Sequence, residues 1–108
     1  SEEAKRLPRL VELGAGSCTP CKMMEPILED LRKEYAGALA VESIDVNEDP
    51  AAKTALGVRL IPTQIFYNAE GRELFRHEGF FPKKDILAKW EELGVDLRPK
   101  AADADPSP

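Results

Sequence analysis

The spacing of apolar and polar residues divides this chain into a series of short elements. Residues 9–13, RLVEL, follow Pro8 and predict a strand that runs into Gly14-Ala15-Gly16. From about Thr19 to Tyr35 the period lengthens. Met23, Met24, Ile27, Leu28 and Leu31 recur at helical spacing and are expected to face a core. Pro26 falls inside this helix and is expected to kink it, because its ring lacks an N–H and crowds the preceding turn. Residues 39–46, LAVESIDV, predict a second strand, with Val41 and Ser43 on one face and Ile44 and Val46 on the other. Asp49-Pro50 supplies a helix cap followed by a first-turn proline, opening a short helix over 50–56 that Gly57 ends. Residues 63–67, TQIFY, and 72–77, RELFRH, flank a turn at Asn68–Gly71 and predict a hairpin. Ile86, Leu87, Trp90 and Leu93 form one stripe of a last helix over about 82–93.

This order predicts an α/β fold. A strand–helix–strand unit implies a parallel pair joined by a right-handed crossover. The hairpin adds antiparallel strands. The expectation is a mixed central sheet of about four strands flanked by helices on both faces. The domain is expected to span 9–95, after a stub at 1–8. The tail over 96–108 ends RPKAADADPSP and is expected to be disordered, being polar, Pro-rich and without periodicity.

Composition narrows the function classes. A chain of 108 residues with 43% hydrophobic residues is long enough for one buried core. A net charge of −5 argues against a nucleic-acid footprint. No apolar run has the length needed to span a bilayer, and no signal peptide is expected within the chain.

The two cysteines of the chain stand together in Cys18-Thr19-Pro20-Cys21, where a strand's end meets a helix start. Residues three apart on a helix share a face, at about 5–6 Å, which a disulfide can bridge. Such a small loop restricts the unfolded chain little, so stability is a poor reason for the pair. A helix N-terminus offers unpaired N–H groups and the positive end of the dipole, and both favour a thiolate. Cys18 at the mouth is expected to be the attacking thiol and Cys21, one turn in, the resolving one. Two other readings compete. A zinc site wants four Cys or His ligands, and the chain offers two cysteines and the distant His77. An inert structural pair is the other. A CxxC beside a strand–helix–strand pattern favours redox chemistry over both.

From about Leu10 to Gly94 the chain resembles the thioredoxin family. The resemblance rests on LVEL, CTPCKMMEPIL, IDVNEDP, GVRLIPT, the turn at Gly71 and the EGF stretch at 78–80. It implies a thioredoxin-like fold with a shortened N-terminus, the segment SEEAKRL standing where the family has a strand and much of a helix. It implies a dithiol–disulfide pair at Cys18 and Cys21, with no other cofactor and no metal. Glu12 matches a buried acidic residue that exchanges a proton with the resolving thiol. Burial in an apolar strand would raise its pKa towards the useful range. The alternative is a solvent-facing Glu12 between a buried Val11 and Leu13. Pro62 matches a cis-proline beside the disulfide, with the Ile61 backbone available to an extended substrate. Gly79 and Phe80 match a substrate-facing loop. Phe80 and Phe81 either form an exposed apolar rim, or one or both close the core under the last helix.

Several residues depart from the family pattern. Thr19 replaces the usual glycine before Pro20, at a position that tunes redox potential. Ser17 and Gly14 stand where tryptophans are usual, and Ser43 where a lysine faces the acidic residue. The implied activity is protein-disulfide reduction by a monomer. Its partners would be protein disulfides and an upstream electron donor, either a thioredoxin reductase or a membrane thiol carrier. Location would be cytoplasmic, or periplasmic for a dedicated exchanger whose leader had been removed. The reading from another class is a redox-silent peptide-binding module using the groove at Ile61.

Overall fold

The structure of the chain, a computed structural model, describes residues 6–97. Most of the expected stub, and the tail beyond Leu97, lie outside the described residues. The elements are β1 (Arg9–Gly14), α1 (Thr19–Glu34), β2 (Ala40–Asp45), α2 (Pro50–Ala55), β3 (Thr63–Tyr67), β4 (Glu73–Glu78) and α3 (Lys83–Glu92). The sheet runs β2-β1-β3-β4. β1 is parallel to β2 and antiparallel to β3, and β3 and β4 form the antiparallel hairpin. This is the mixed four-stranded architecture that the pattern predicts.

β1 and β3 are the inner strands, and both of their faces are covered. On one face Leu10 and Phe66 meet Met24, Leu28 and Leu31 of α1 and Ile86 and Trp90 of α3. On the other face Val11, Leu13, Ile65 and Tyr67 meet Val58, with Ile44, Val46, Leu56 and Ile61 packed around them. The segment that follows α2 thus covers the second face, while no residue of α2 itself is fully buried. Val41 packs with the first cluster and Ile44 and Val46 with the second, as the phase of β2 predicts.

Two expectations on packing need correction, for Met23 and Leu97. Met23 is exposed, because the buried stripe of α1 is Cys21, Met24, Leu28 and Leu31, and Met23 is rotated off it. The helix runs on through Pro26 to Glu34, so the proline does not end it. Pro26 and Lys22 lie on the exposed side, where water can take the Lys22 carbonyl that the proline leaves unbonded. Leu97, placed in the tail by its sequence context, is buried in the first core cluster.

Trp90 is almost fully buried, and its ring lies 4.7 Å from that of Phe66. Trp90→Ala is expected to lower the unfolding free energy by about 3–5 kcal/mol, because a cavity adds to the lost transfer energy. Urea unfolding checks this value. A change below about 1 kcal/mol would mean that the α3 side of the core is not closed as described.

Candidate active site

Cys18 caps α1. Its backbone is extended, its N–H bonds Ala15 O at 3.1 Å, and its carbonyl accepts from Lys22 N–H at 3.0 Å. Thr19 and Pro20 fill the first turn and are exposed. Cys18 and Cys21 form a disulfide with their Cα atoms 5.1 Å apart. The Cys21 N–H points at Cys18 Sγ at 3.2 Å. A helix-terminal N–H aimed at that sulfur favours negative charge on it. Cys18 is half-exposed and Cys21 is buried. Their places fit an attacking and a resolving thiol respectively.

Beneath Cys21 lies Glu12, only 4% exposed although it carries a carboxyl group. It is buried together with Val11 and Leu13, because β1 is covered on both faces. Its Oε1 accepts from Gln64 Nε2 at 3.2 Å, while its buried Oε2 has no partner. Desolvation raises its pKa from 4.5 to about 7, and the bond from Gln64 partly opposes that rise. No cation contributes to the balance. Ser43, where a lysine would stand, instead accepts from Arg32 at 3.1 Å.

Gly14 sets the spacing between carboxyl and sulfur. A Cβ at this position would lie 3.1 Å from Cys21 Sγ and 3.8 Å from Glu12 Oε2. The bare α-carbon therefore leaves open a volume that both groups share. It belongs to a cavity of about 130 Å³ whose walls include Glu12, Gly14, Cys21, Glu25, Ser43 and Asp45. A polar cavity of this size can admit water.

The second part of the site is the loop before β3 and the end of β4. The Ile61–Pro62 peptide is cis, and Pro62 is buried. Ile61 packs its side chain against the second core cluster. Gly79 N–H bonds Pro62 O at 2.7 Å, joining the two loops. Gly79 has φ +98°, which a side chain disfavours. Phe81 N–H points to Met24 Sδ at 3.4 Å and its ring enters the core, while Phe80 is 38% exposed. Leu60 and Met23 are the other large apolar side chains left exposed among the described residues.

Sequence reasoning missed two members. Register aligns Ser43, Glu12, Gln64 and His77 as one row across all four strands. Gln64 is fully buried and donates to Gly79 O at 3.0 Å as well as to Glu12. His77 Nδ1 meets Gln64 Oε1 at 3.0 Å, and its ring stacks on Phe81 at 4.0 Å. A glutamine directly before the apolar IFY run of a strand was the available signal.

A family model described as Thioredoxin matches residues 2–92. The chain is 37% identical over 86 residues to the chloroplastic M-type thioredoxin of Pisum sativum, covering 79% of this chain and 49% of that protein. It therefore spans about half the length of that relative. It is 34% identical over 86 residues to a thioredoxin of Alicyclobacillus acidocaldarius, covering 80% of this chain and 81% of that one. Among solved structures, chloroplastic thioredoxin z superimposes with a TM-score of 0.75 at 26% identity, over 87% of this chain and 84% of the other. The germline-specific thioredoxin Deadhead of Drosophila melanogaster gives 0.74, also at 26%, over 85% and 86%.

Proposed function

The chain belongs to the thioredoxin family, and on that premise we propose that it reduces protein disulfides by dithiol–disulfide exchange through Cys18 and Cys21. The observation that carries this reading is the placement of the pair. A half-exposed Cys18 caps a helix, and a buried Cys21 shares a small volume with an unpartnered carboxylate oxygen.

In the reduced protein the Cys18 thiolate attacks one sulfur of a substrate disulfide. A Cys18–substrate disulfide forms and the first substrate thiolate leaves. Glu12 takes the proton of the Cys21 thiol. The Cys21 thiolate then attacks Cys18 Sγ and expels the second substrate thiolate. Two electrons have passed to the substrate, and the Cys18–Cys21 disulfide remains. A pKa of about 7 suits Glu12 to this transfer near neutral pH. A thioredoxin reductase in the cytoplasm restores the dithiol. The exchange needs no second subunit.

Substrate lies along the Ile61–Pro62 and Gly79–Phe80 loops. Strand-like pairing with the Ile61 backbone gives affinity without demanding a sequence. Exposed Leu60 and Phe80 add apolar contact. The test is insulin reduction in dithiothreitol. The protein is expected to accelerate it well above the reagent alone, and a rate equal to that of the reagent would overturn the reading in favour of a redox-silent binding module. Leu60→Ser with Phe80→Ser is expected to raise KM several-fold with kcat nearly unchanged, because these contacts bind substrate and transition state alike.

A further inference from the structure

Of the row Glu12–Gln64–His77 only Glu12 takes part in the exchange itself, yet the three are fully connected. Gln64 Nε2 donates to two acceptors, Glu12 Oε1 at 3.2 Å and Gly79 O at 3.0 Å. Turning the amide over would set its oxygen against both of them, so these partners fix its orientation. Its Oε1 then faces His77 Nδ1 at 3.0 Å. That contact is favourable only when Nδ1 carries a proton, so His77 is the donor. The stack of His77 on Phe81 holds the ring in place. Each link is a cross-strand neighbour in register, so the row is as rigid as the sheet that carries it.

This arrangement makes the two oxygens of Glu12 unequal. Oε1 is occupied as an acceptor. Oε2 is buried, has no partner, and shares the volume at Gly14 with Cys21 Sγ. We propose that Gln64, locked by His77, is a positioning residue that reserves Glu12 Oε2 as the oxygen receiving the Cys21 proton and ties that carboxylate to the Gly79 wall of the substrate groove. The inference rests on the reading that Glu12 moves that proton. The same bond also supports the charged carboxylate, in the direction found for Gln64. Other titratable groups that line the cavity beside Glu12 are Cys21 and Glu25 from α1 and Asp45 from β2. β4 reaches it only through His77 and Gln64. Gln64 and His77 substitutions leave Cys21, Glu25 and Asp45 in place.

The test follows the Glu12 carboxyl carbon by NMR through a pH titration, beside insulin turnover over the same pH range. Gln64→Leu keeps the volume and removes the donor. It is expected to move the Glu12 midpoint upward by about one pH unit, and the alkaline rise of turnover with it. His77→Phe keeps the stack on Phe81 and removes the lock, so it should shift the midpoint the same way by less. His77→Asn, which can place a donor where Nδ1 stands, should restore the wild-type midpoint. A merely structural role would lower Tm and leave the midpoint in place. An unmoved midpoint in folded Gln64→Leu overturns the inference. If that variant does not fold, an unmoved midpoint in His77→Phe overturns it. The underlying reading fails separately, if Glu12→Gln leaves the pH profile of turnover as in the wild type.

Discussion

Cys18→Ser is expected to bring insulin reduction down to the dithiothreitol background, a loss of essentially all catalysed turnover. A serine hydroxyl at the mouth of α1 has no sulfur chemistry to offer, so no mixed disulfide forms. Cys21→Ser is expected to fail differently. Cys18 still attacks, because its position at the helix cap and its exposure do not depend on the second sulfur. The Cys18–substrate disulfide then persists, since no thiol stands in the buried place behind it. Mass spectrometry of the folded protein after mixing with a disulfide peptide separates the two. Cys21→Ser should gain the mass of one peptide thiol, and Cys18→Ser none. The opposite pattern would reverse the two roles. Adducts on neither would mean that the pair is inert.

Glu12→Gln carries the second large effect, on stability as well as rate. The folded pKa of Glu12, about 7, lies above its ordinary value of 4.5. Folding therefore favours the protonated form. That contribution is fully present below about pH 4.5 and is lost as pH rises through about 7. Above that range the folded protein holds a desolvated charge, a penalty of about 3 kcal/mol for the whole shift. A glutamine has no charge to desolvate. Glu12→Gln should thus be more stable than the wild type at pH 8, by up to about 3 kcal/mol. The advantage should shrink steadily towards pH 5. Urea midpoints at pH 5, 6, 7 and 8 measure it. Parallel curves would mean that Glu12 ionises as freely as an exposed carboxylate. The same variant should slow the resolving step by on the order of 10²-fold at neutral pH, where a general base is lost. Gain in stability together with loss of rate marks a group kept for chemistry rather than for the fold.

The parts of the fold that were legible are those where local pattern and tertiary context agree. TQIFY and RELFRH flank a turn rich in Asn and Gly, and they form β3 and β4 within a residue of the expected ends. Thr19–Glu34 has helical spacing and an N-terminal proline, and it is α1. Legibility failed where a residue's surroundings are set by elements far away in sequence. Met23 and Met24 are chemically alike, and only the angle at which α1 meets the sheet buries one and exposes the other. Phe80 and Phe81 divide in the same way, because Phe81 is drawn to Met24 and Phe66.

At the site, the Cys18–Cys21 pairing could be read from one contiguous motif, and the cis Ile61–Pro62 peptide from resemblance. Burial of Glu12 could not be read from RLVEL alone, where alternation would place it opposite Val11 and Leu13. It is buried because β1 is an inner strand with α1 and α3 on its face. Gln64 and His77 needed two strand registers at once, and a single sequence carries neither. Gly14 reads as the glycine where the first strand runs into a loop, until the structure sets Cys21 Sγ 3.1 Å from where its Cβ would stand.

All of this chemistry depends on Cys18 being the reactive thiol and Cys21 the protected one. The most direct measurement is brief alkylation of the fully reduced, folded protein with a limiting amount of iodoacetamide near pH 7, with the modified cysteine assigned from fragment masses. Label is expected to enter Cys18 first and in large excess, with Cys21 reached only on unfolding. Label on Cys21 first, or on neither cysteine until the protein unfolds, would contradict it.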